Sequence, residues 1–187
     1  MNGRKSTHRL SVIVLCIALF WAAGCRAPAE PQLLPDETVA ADLADLAVAA
    51  WGRFMAAFAG RADCFGDVKL TTAKDLDSRA AYDPATATVT VEVPATAALL
   101  EAALIHEWAH HVEFQCPEHE ALRSEFLAAQ FAPADVDWFG GSTWADTPSE
   151  QYAEAAVILV LGRRQLPTEA AVTPAAVDVL SRWAAGK

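Results

Sequence analysis

Positive charge is scarce in this sequence of 187 residues, which has 14 Lys and Arg against 24 Asp and Glu and a net charge of -10. Three of the basic residues, Arg4, Lys5 and Arg9, lie at the N-terminus, and no acidic residue precedes Glu30. The rest of the chain is therefore more acidic still. Proteins that bind nucleic acid neutralise phosphates with a basic surface. The composition thus argues against nucleic acid as a partner.

A long apolar run is also missing, because the run at residues 12–23 is shorter than the roughly 18 to 20 residues that span a bilayer. Basic residues precede this run and small residues end it, which is the pattern of a secretory signal. We therefore predict that residues 1–24 are a signal peptide. An uncleaved N-terminal membrane helix is the alternative.

The signal ends in Ala22-Ala23-Gly24 before Cys25, and this ending resembles a bacterial lipobox. The resemblance implies that Cys25 carries a lipid and begins the mature chain. Acyl chains on Cys25 would hold the protein at a membrane surface without a spanning helix. Residues 25–37 are then the anchor and a Pro-rich tether. We expect an exported lipoprotein on the outer face of the bacterial cell membrane, or else a secreted protein.

Cysteine is rare, with four residues in the chain. Cys16 lies in the apolar run and Cys25 at the lipid site, which leaves Cys64 and Cys116. Two remaining cysteines in an exported domain most often pair. We predict a Cys64–Cys116 disulfide, with a cysteine metal ligand as the alternative.

The length suits one domain, which we place at residues 38–187. Helical periodicity, caps and Pro or Gly stops predict an N-terminal helix and four later ones, while alternating apolar residues predict a small mixed or antiparallel sheet. This order of elements predicts an α+β domain. The predicted helices are residues 38–59, 97–114, 118–130, 147–161 and 175–185, and the predicted strands are 65–72, 78–82 and 86–93.

Four of the five histidines lie between positions 106 and 119, where His106, Glu107 and His110 form an H-E-x-x-H motif. On a helix the two imidazoles lie one turn apart on one face and can reach a single metal ion. Glu107 then lies where it can act as a general base. The apolar flanks favour this interpretation over an exposed charged helix end, because buried imidazoles need polar partners.

A third ligand is needed, with a further position left for water. A metzincin would have Gly and His at the positions of Glu113 and Cys116, and a di-iron bundle would repeat Glu-x-x-His, which occurs once here. A Glu from a later helix remains. Glu150 and Glu154 share one helical face, where Glu150 could bind zinc and Glu154 could accept from a ligand imidazole. The alternative is a solvated first turn whose acids only offset the helix dipole.

These two motifs resemble the gluzincin branch of the zincin metallopeptidases, in particular its small single-domain members and lethal-factor-like enzymes. The resemblance covers residues 86–162. It implies a zincin-like fold, one Zn²⁺ ion bound by His106, His110 and Glu150, and Glu107 as the catalytic base. Glu154 would orient a ligand histidine. The resemblance also implies a sheet beside the active-site helix whose edge strand pairs with substrate, and residues 86–93 are the candidate strand.

One feature of lethal-factor-like enzymes is missing: a Tyr shortly before the ligand Glu that stabilises the oxyanion. The corresponding stretch here is Ser142-Thr143-Trp144. The chain has two tyrosines, Tyr82 and Tyr152, and the histidines His111 and His119 are further alternatives. The sequence leaves the oxyanion-stabilising residue unassigned.

Three functions follow from these observations. The first is a zinc-dependent peptidase that hydrolyses peptide bonds of an extended polypeptide at the cell surface through a metal-activated water. The second is a catalytically weak or inactive zincin-fold lipoprotein that binds a partner. The third is metal storage or structural zinc, with His110, His111, Cys116 and His119 as ligands, and it requires a free Cys116.

Overall fold

The computed structural model describes residues 30–133, 135–164 and 167–187. Within these residues the chain forms five helices and one four-stranded mixed sheet, so the predicted α+β class is confirmed. The proposed signal peptide at residues 1–24 and the proposed lipid site at Cys25 lie outside the described residues.

Local sequence signals mark several of the helix ends, although α1 is shorter at both ends than the predicted residues 38–59. Thr96 caps the second helix by accepting from Leu99 N–H, Pro148 occupies the first turn of the fourth, and Gly162 ends that helix with φ 71°. The helices are α1 Ala41–Ala57, α2 Ala97–Gln115, α3 His119–Ala129, α4 Pro148–Leu161 and α5 Pro174–Ala184, with 3-10 turns at Ala59–Arg61 and Trp144–Asp146.

The sheet has the order β1-β2-β4-β3. Parallel pairing joins β1 to β2 and β2 to β4, while β3 is antiparallel to β4. The strands are β1 Leu33–Pro35, β2 Val68–Ala73, β3 Ala80–Asp83 and β4 Thr88–Glu92. β1 lies within residues 25–37, which the sequence suggested to be a tether, and it pairs with Val68–Leu70 of β2.

The prediction that residues 86–93 form the edge strand beside the substrate is wrong. β4 lies inside the sheet, between β2 and β3, and its Val89 and Val91 side chains are fully buried. β3 is the edge strand on this side of the sheet. The alternating valines reveal a strand with a buried face, but they do not reveal which strands pair with it.

Helix α2 is packed on several sides. Its Trp108 ring lies 5.1 Å from the Trp51 ring and 5.7 Å from the Phe54 ring of α1, measured between centroids. Its other neighbours include α4, β3 and β4. Because these contacts bury most of the helix, its orientation is fixed, and the His106–His110 face is directed at the first turns of α4.

A disulfide joins Cys64, in the loop after α1, to Cys116 at the C-cap of α2, which confirms the predicted pairing. Both sulfurs are used in this bond. The structure therefore does not provide the free Cys116 on which the structural-zinc interpretation depends.

None of the described helices has both the length and the apolar character needed to cross a membrane.

Candidate metal centre

Three potential ligand atoms converge between α2 and α4. His106 Nε2 and His110 Nε2 lie 3.2 Å apart, because their residues are one turn apart on α2. Glu150, in the first turn of α4, places its Oε2 2.9 Å from His106 Nε2 and 3.5 Å from His110 Nε2. The structure thus brings together the three residues that the sequence suggested as zinc ligands.

This triangle of atoms fits a zinc ion. Ligands at 2.0–2.1 Å from a tetrahedral ion are about 3.3 Å from one another, since each ligand–ligand vector is an edge of the tetrahedron. The three measured edges of 2.9, 3.2 and 3.5 Å bracket that value. Two imidazoles and one carboxylate are also a donor set of catalytic zinc sites, which keep a further position for water.

Both ligand imidazoles have a carboxylate behind them. His106 Nδ1 lies 3.2 Å from Glu154 Oε1, and His110 Nδ1 lies 2.7 Å from Glu113 Oε2. When Nδ1–H donates to a carboxylate, the Nε2 lone pair of the neutral ring is free for a metal. Glu154 thus lies beside His106, one of the two imidazoles that the sequence interpretation suggested as zinc ligands.

Glu113 is a site residue that the sequence analysis missed. Its side chain is fully buried, and it accepts hydrogen bonds from Ser149 Oγ at 2.8 Å and from the Trp138 indole N–H. The sequence contained a signal for it, because Glu113 lies three residues after His110 on a helix with apolar flanks. A buried carboxylate there needs a partner, and residues at i and i+3 are neighbours.

The charges of the centre depend strongly on one another. Burial disfavours the charged form of His110, but hydrogen bonds to Glu113 and Glu150 outweigh it and raise the pKa of His110 to about 10. The pKa of His106 is also raised, because bonds to Glu150 and Glu154 outweigh burial. In turn, the two imidazoles overcome burial and hold the pKa of Glu150 well below its usual range. Without metal, the surrounding carboxylates therefore favour the protonated form of both imidazoles.

Glu107 lies next to this triangle and is 8% exposed. Burial raises the pKa of its carboxyl, although the charges of His106 and His110 and a hydrogen bond from the Tyr82 backbone N–H act in the opposite direction. A carboxyl whose pKa is raised towards neutrality can both accept and return a proton. Its environment therefore suits the role of general base.

The centre opens into a cleft of about 940 Å³. Edge strand β3 and α2 form two of its walls, and three aromatic side chains, Phe114, Phe139 and Trp144, line it as well. Phe114 and Phe139 stack with ring centroids 5.5 Å apart, and Trp144 stacks on His106 at 6.0 Å. All three of these side chains are about half exposed, so the cleft offers apolar surface as well as the polar groups of the centre.

The residues suggested as alternative oxyanion stabilisers are placed differently. Tyr82 lines the cleft, and its hydroxyl lies 3.0 Å from His111 Nδ1. His111, His119 and Tyr152 are buried and are not among the described residues that line the cleft. Both ring nitrogens of His119 and the hydroxyl of Tyr152 lack hydrogen-bond partners within the described residues. Burial of this kind lowers the pKa of His119 to about 4, which indicates a neutral core residue.

Comparisons of the chain with protein-family models, with curated proteins and with solved structures gave no match.

Proposed function

We propose that this protein is a zinc-dependent peptidase of the gluzincin type that hydrolyses peptide bonds of an extended polypeptide. The observation that carries the proposal is the convergence of His106 Nε2, His110 Nε2 and Glu150 Oε2 at tetrahedral spacing, with a buried glutamate beside them. Carboxylates on both Nδ1 atoms support it, because they direct both Nε2 lone pairs to one point.

In the proposed reaction, three residues bind the metal ion and Glu107 transfers the proton. A zinc ion bound by His106, His110 and Glu150 would act as a Lewis acid and lower the pKa of water towards about 7. Glu107 accepts a proton from the attacking water as the water oxygen bonds to the scissile carbonyl carbon. The same carboxyl then gives the proton to the amide nitrogen as the C–N bond breaks. One water and one peptide bond thus yield one carboxylic acid and one amine.

Edge strand β3 is the element on which an extended substrate would pair. The Glu92 backbone N–H donates to the Arg79 carbonyl, so this pair is hydrogen-bonded across the β3–β4 ladder. Hydrogen-bonded and non-hydrogen-bonded pairs alternate in an antiparallel ladder. The peptide groups of Ala80 and Tyr82 therefore face away from β4. Tyr82 N–H is used by Glu107, which leaves Ala80 N–H as a donor for substrate.

A Glu107→Gln variant tests the mechanism. We expect it to keep bound zinc and to lose roughly 100- to 10,000-fold in hydrolysis, since an amide cannot accept the proton. Zinc content and cleavage of a quenched peptide library are measured for the wild type and the variant, with the exposed Glu120→Gln of α3 as the matched control. Normal cleavage by Glu107→Gln would show the mechanism to be wrong.

A catalytically weak or inactive zincin-fold binding protein is the second candidate, and the absence of a Tyr in the stretch Ser142-Thr143-Trp144 favours it. Cleavage of the same library before and after chelation separates the two. A peptidase loses its activity when the zinc is removed, whereas a binding protein shows no cleavage in either state.

We also propose that the protein acts at the outer face of the cell membrane, anchored through a lipid on Cys25. The disulfide supports this location, because such bonds persist in oxidising compartments. Incorporation of labelled fatty acid into the wild type, and its loss in Cys25→Ser, would be the expected result. An unlabelled but exported wild type would favour secretion.

A further inference from the structure

Peptide hydrolysis puts negative charge on the oxygen of the scissile carbonyl, and the proposed roles leave this charge without a side-chain donor. In a hydrolase, loss of one well-placed donor to such an oxyanion lowers kcat by about 100- to 1,000-fold. The ligand atoms converge on the Nε2 side of His106 and His110. A donor to the oxyanion must therefore lie on that side of the two rings.

Two of the cleft's donors lie on the opposite side. Ser149 Oγ donates to Glu113 at 2.8 Å, and Glu113 is the carboxylate behind His110 Nδ1. Arg164 Nε lies 3.8 Å from Glu154 Oε2, and Glu154 is the carboxylate behind His106 Nδ1. Both groups thus face the carboxylates that lie behind the rings, on the Nδ1 side.

The Tyr82 hydroxyl already donates its single proton to His111. His111 Nε2 lies 2.9 Å from the Gly66 carbonyl, which can only accept, so this nitrogen carries the ring proton. His111 Nδ1 is then the acceptor for the Tyr82 O–H at 3.0 Å. Gln115 Nε2 donates to the same hydroxyl oxygen at 3.1 Å. The hydroxyl is thus tied to a histidine that is not a metal ligand.

Trp144 is a donor on the cleft wall, next to the proposed ligand His106. Its indole stacks on the His106 ring with 6.0 Å between centroids and 22° between planes, and it is 49% exposed on the cleft wall. Within the described residues, no hydrogen bond uses its indole N–H. Asp146 fixes the turn, because its Oδ2 accepts from Ser142 Oγ at 2.6 Å and from Thr143 Oγ1 at 2.8 Å.

We propose that the indole N–H of Trp144 donates a hydrogen bond to the oxyanion during peptide hydrolysis, which makes Trp144 a catalytic residue. This inference rests on the proposed peptidase function. An indole N–H can only donate a hydrogen bond. Its bond to a negatively charged oxygen is stronger than its bond to a neutral carbonyl oxygen. Such a difference between transition state and ground state is what accelerates a reaction.

Trp144→Phe separates the N–H from the stacking, because phenylalanine keeps an aromatic ring on His106 and removes the donor. With the zinc-loaded full-length chain and the best peptide of a quenched library, we expect kcat to fall about 100- to 1,000-fold. KM and zinc content should stay within about twofold of the wild type. Phe131→Leu is the control, since Phe131 is 85% exposed and is not among the residues lining the cleft.

Binding provides a second readout that does not depend on turnover. A phosphinic peptide with the sequence of the best substrate presents a charged oxygen in place of the oxyanion, and Trp144→Phe should bind it about 100- to 1,000-fold more weakly than the wild type. Affinity for the uncleaved peptide, measured in a Glu107→Gln background with and without Trp144→Phe, should be unchanged.

The outcomes distinguish this inference from the function on which it rests. A wild-type chain that cleaves nothing in the library overturns the proposed function and this role of Trp144 with it. If the wild type cleaves and Trp144→Phe keeps its kcat and its affinity for the phosphinic peptide, only the role of Trp144 is overturned. Loss of zinc from Trp144→Phe also overturns it, because the ring would then act by positioning His106.

Discussion

At the scale of single residues, Glu113 sets the state of the ligand histidine beside it. Its carboxylate lies 2.7 Å from His110 Nδ1 and is fully buried, and the hydroxyl of Ser149 and the indole of Trp138 supply its other hydrogen bonds. These bonds and the imidazole outweigh burial and lower the pKa of Glu113. Glu113 is therefore ionised at neutral pH and holds a proton on His110 Nδ1, which directs the Nε2 lone pair to the point where the proposed ligand atoms converge.

Glu113→Gln should accordingly weaken zinc binding. The amide keeps the shape and a carbonyl acceptor but loses the charge, and loss of such a carboxylate behind a ligand typically costs 10- to 100-fold in metal affinity. Competition with a chromophoric chelator measures the change. Glu120→Gln, an exposed residue of α3, is the matched control. Unchanged affinity in Glu113→Gln would mean that the contact is only structural.

At the scale of elements, helices could be predicted more completely than strands. The helix predicted at residues 97–114 is observed as Ala97–Gln115. The helix predicted at residues 147–161 is observed as Pro148–Leu161. These helices could be predicted because their signals are local: the apolar periodicity, the Thr96 cap and Pro148 in the first turn. Strand β1 was missed because Leu33–Pro35 is short and Pro-rich, and its pairing partner lies more than 30 residues away.

The site shows the same division between local and long-range information. His106 and His110 could be predicted as a pair because one helix turn separates them, and Glu150 and Glu154 because they share a face of α4. The role of Glu113 depends on Trp138 and Ser149, which lie 25 and 36 residues away in sequence. The edge position of β3 depends likewise on the pairing order of the whole sheet, which no short motif encodes.

Edge strand β3 leads to a prediction about substrate binding. Ala80→Pro removes an N–H that faces away from β4, and proline is tolerated on edge strands at such positions. We expect KM for the best peptide to rise about 5- to 10-fold through loss of one hydrogen bond of roughly 1 kcal/mol. The melting temperature should change little.

Ala81→Pro is the contrasting variant, because the N–H of Ala81 faces β4 in the ladder. It should lower the melting temperature, since a ladder hydrogen bond is lost. If Ala80→Pro leaves KM at the wild-type value while the fold is intact, substrate does not pair with β3 through this group.

At the scale of the whole molecule, the proposed zinc ion would compete with protons for the two imidazoles of the centre. Burial opposes charge on both imidazoles, yet the surrounding carboxylates raise the pKa of His106 and bring that of His110 to about 10. In the metal-free protein His110 is thus protonated at neutral pH and the protonated form of His106 is favoured, whereas zinc binds neutral imidazole. Zinc uptake should therefore release up to two protons per ion, and apparent zinc affinity should rise as pH increases from 6 to 9.

The same shifts act on the stability of the metal-free fold. Because the pKa of His110 in the folded state is above the ordinary histidine value of about 6.5, its stabilising contribution is complete below about pH 6.5 and is lost as pH rises through about 10. Zinc stabilises the folded state more as its affinity increases. The gap in melting temperature between zinc-loaded and chelator-treated protein should consequently widen from pH 6 to pH 9. The number of protons released on zinc binding is measured by calorimetric titration in buffers of different ionisation enthalpy. His110→Ala should abolish the gap in melting temperature between zinc-loaded and chelator-treated protein. A gap that narrows with pH would contradict the proposed ligation by these imidazoles.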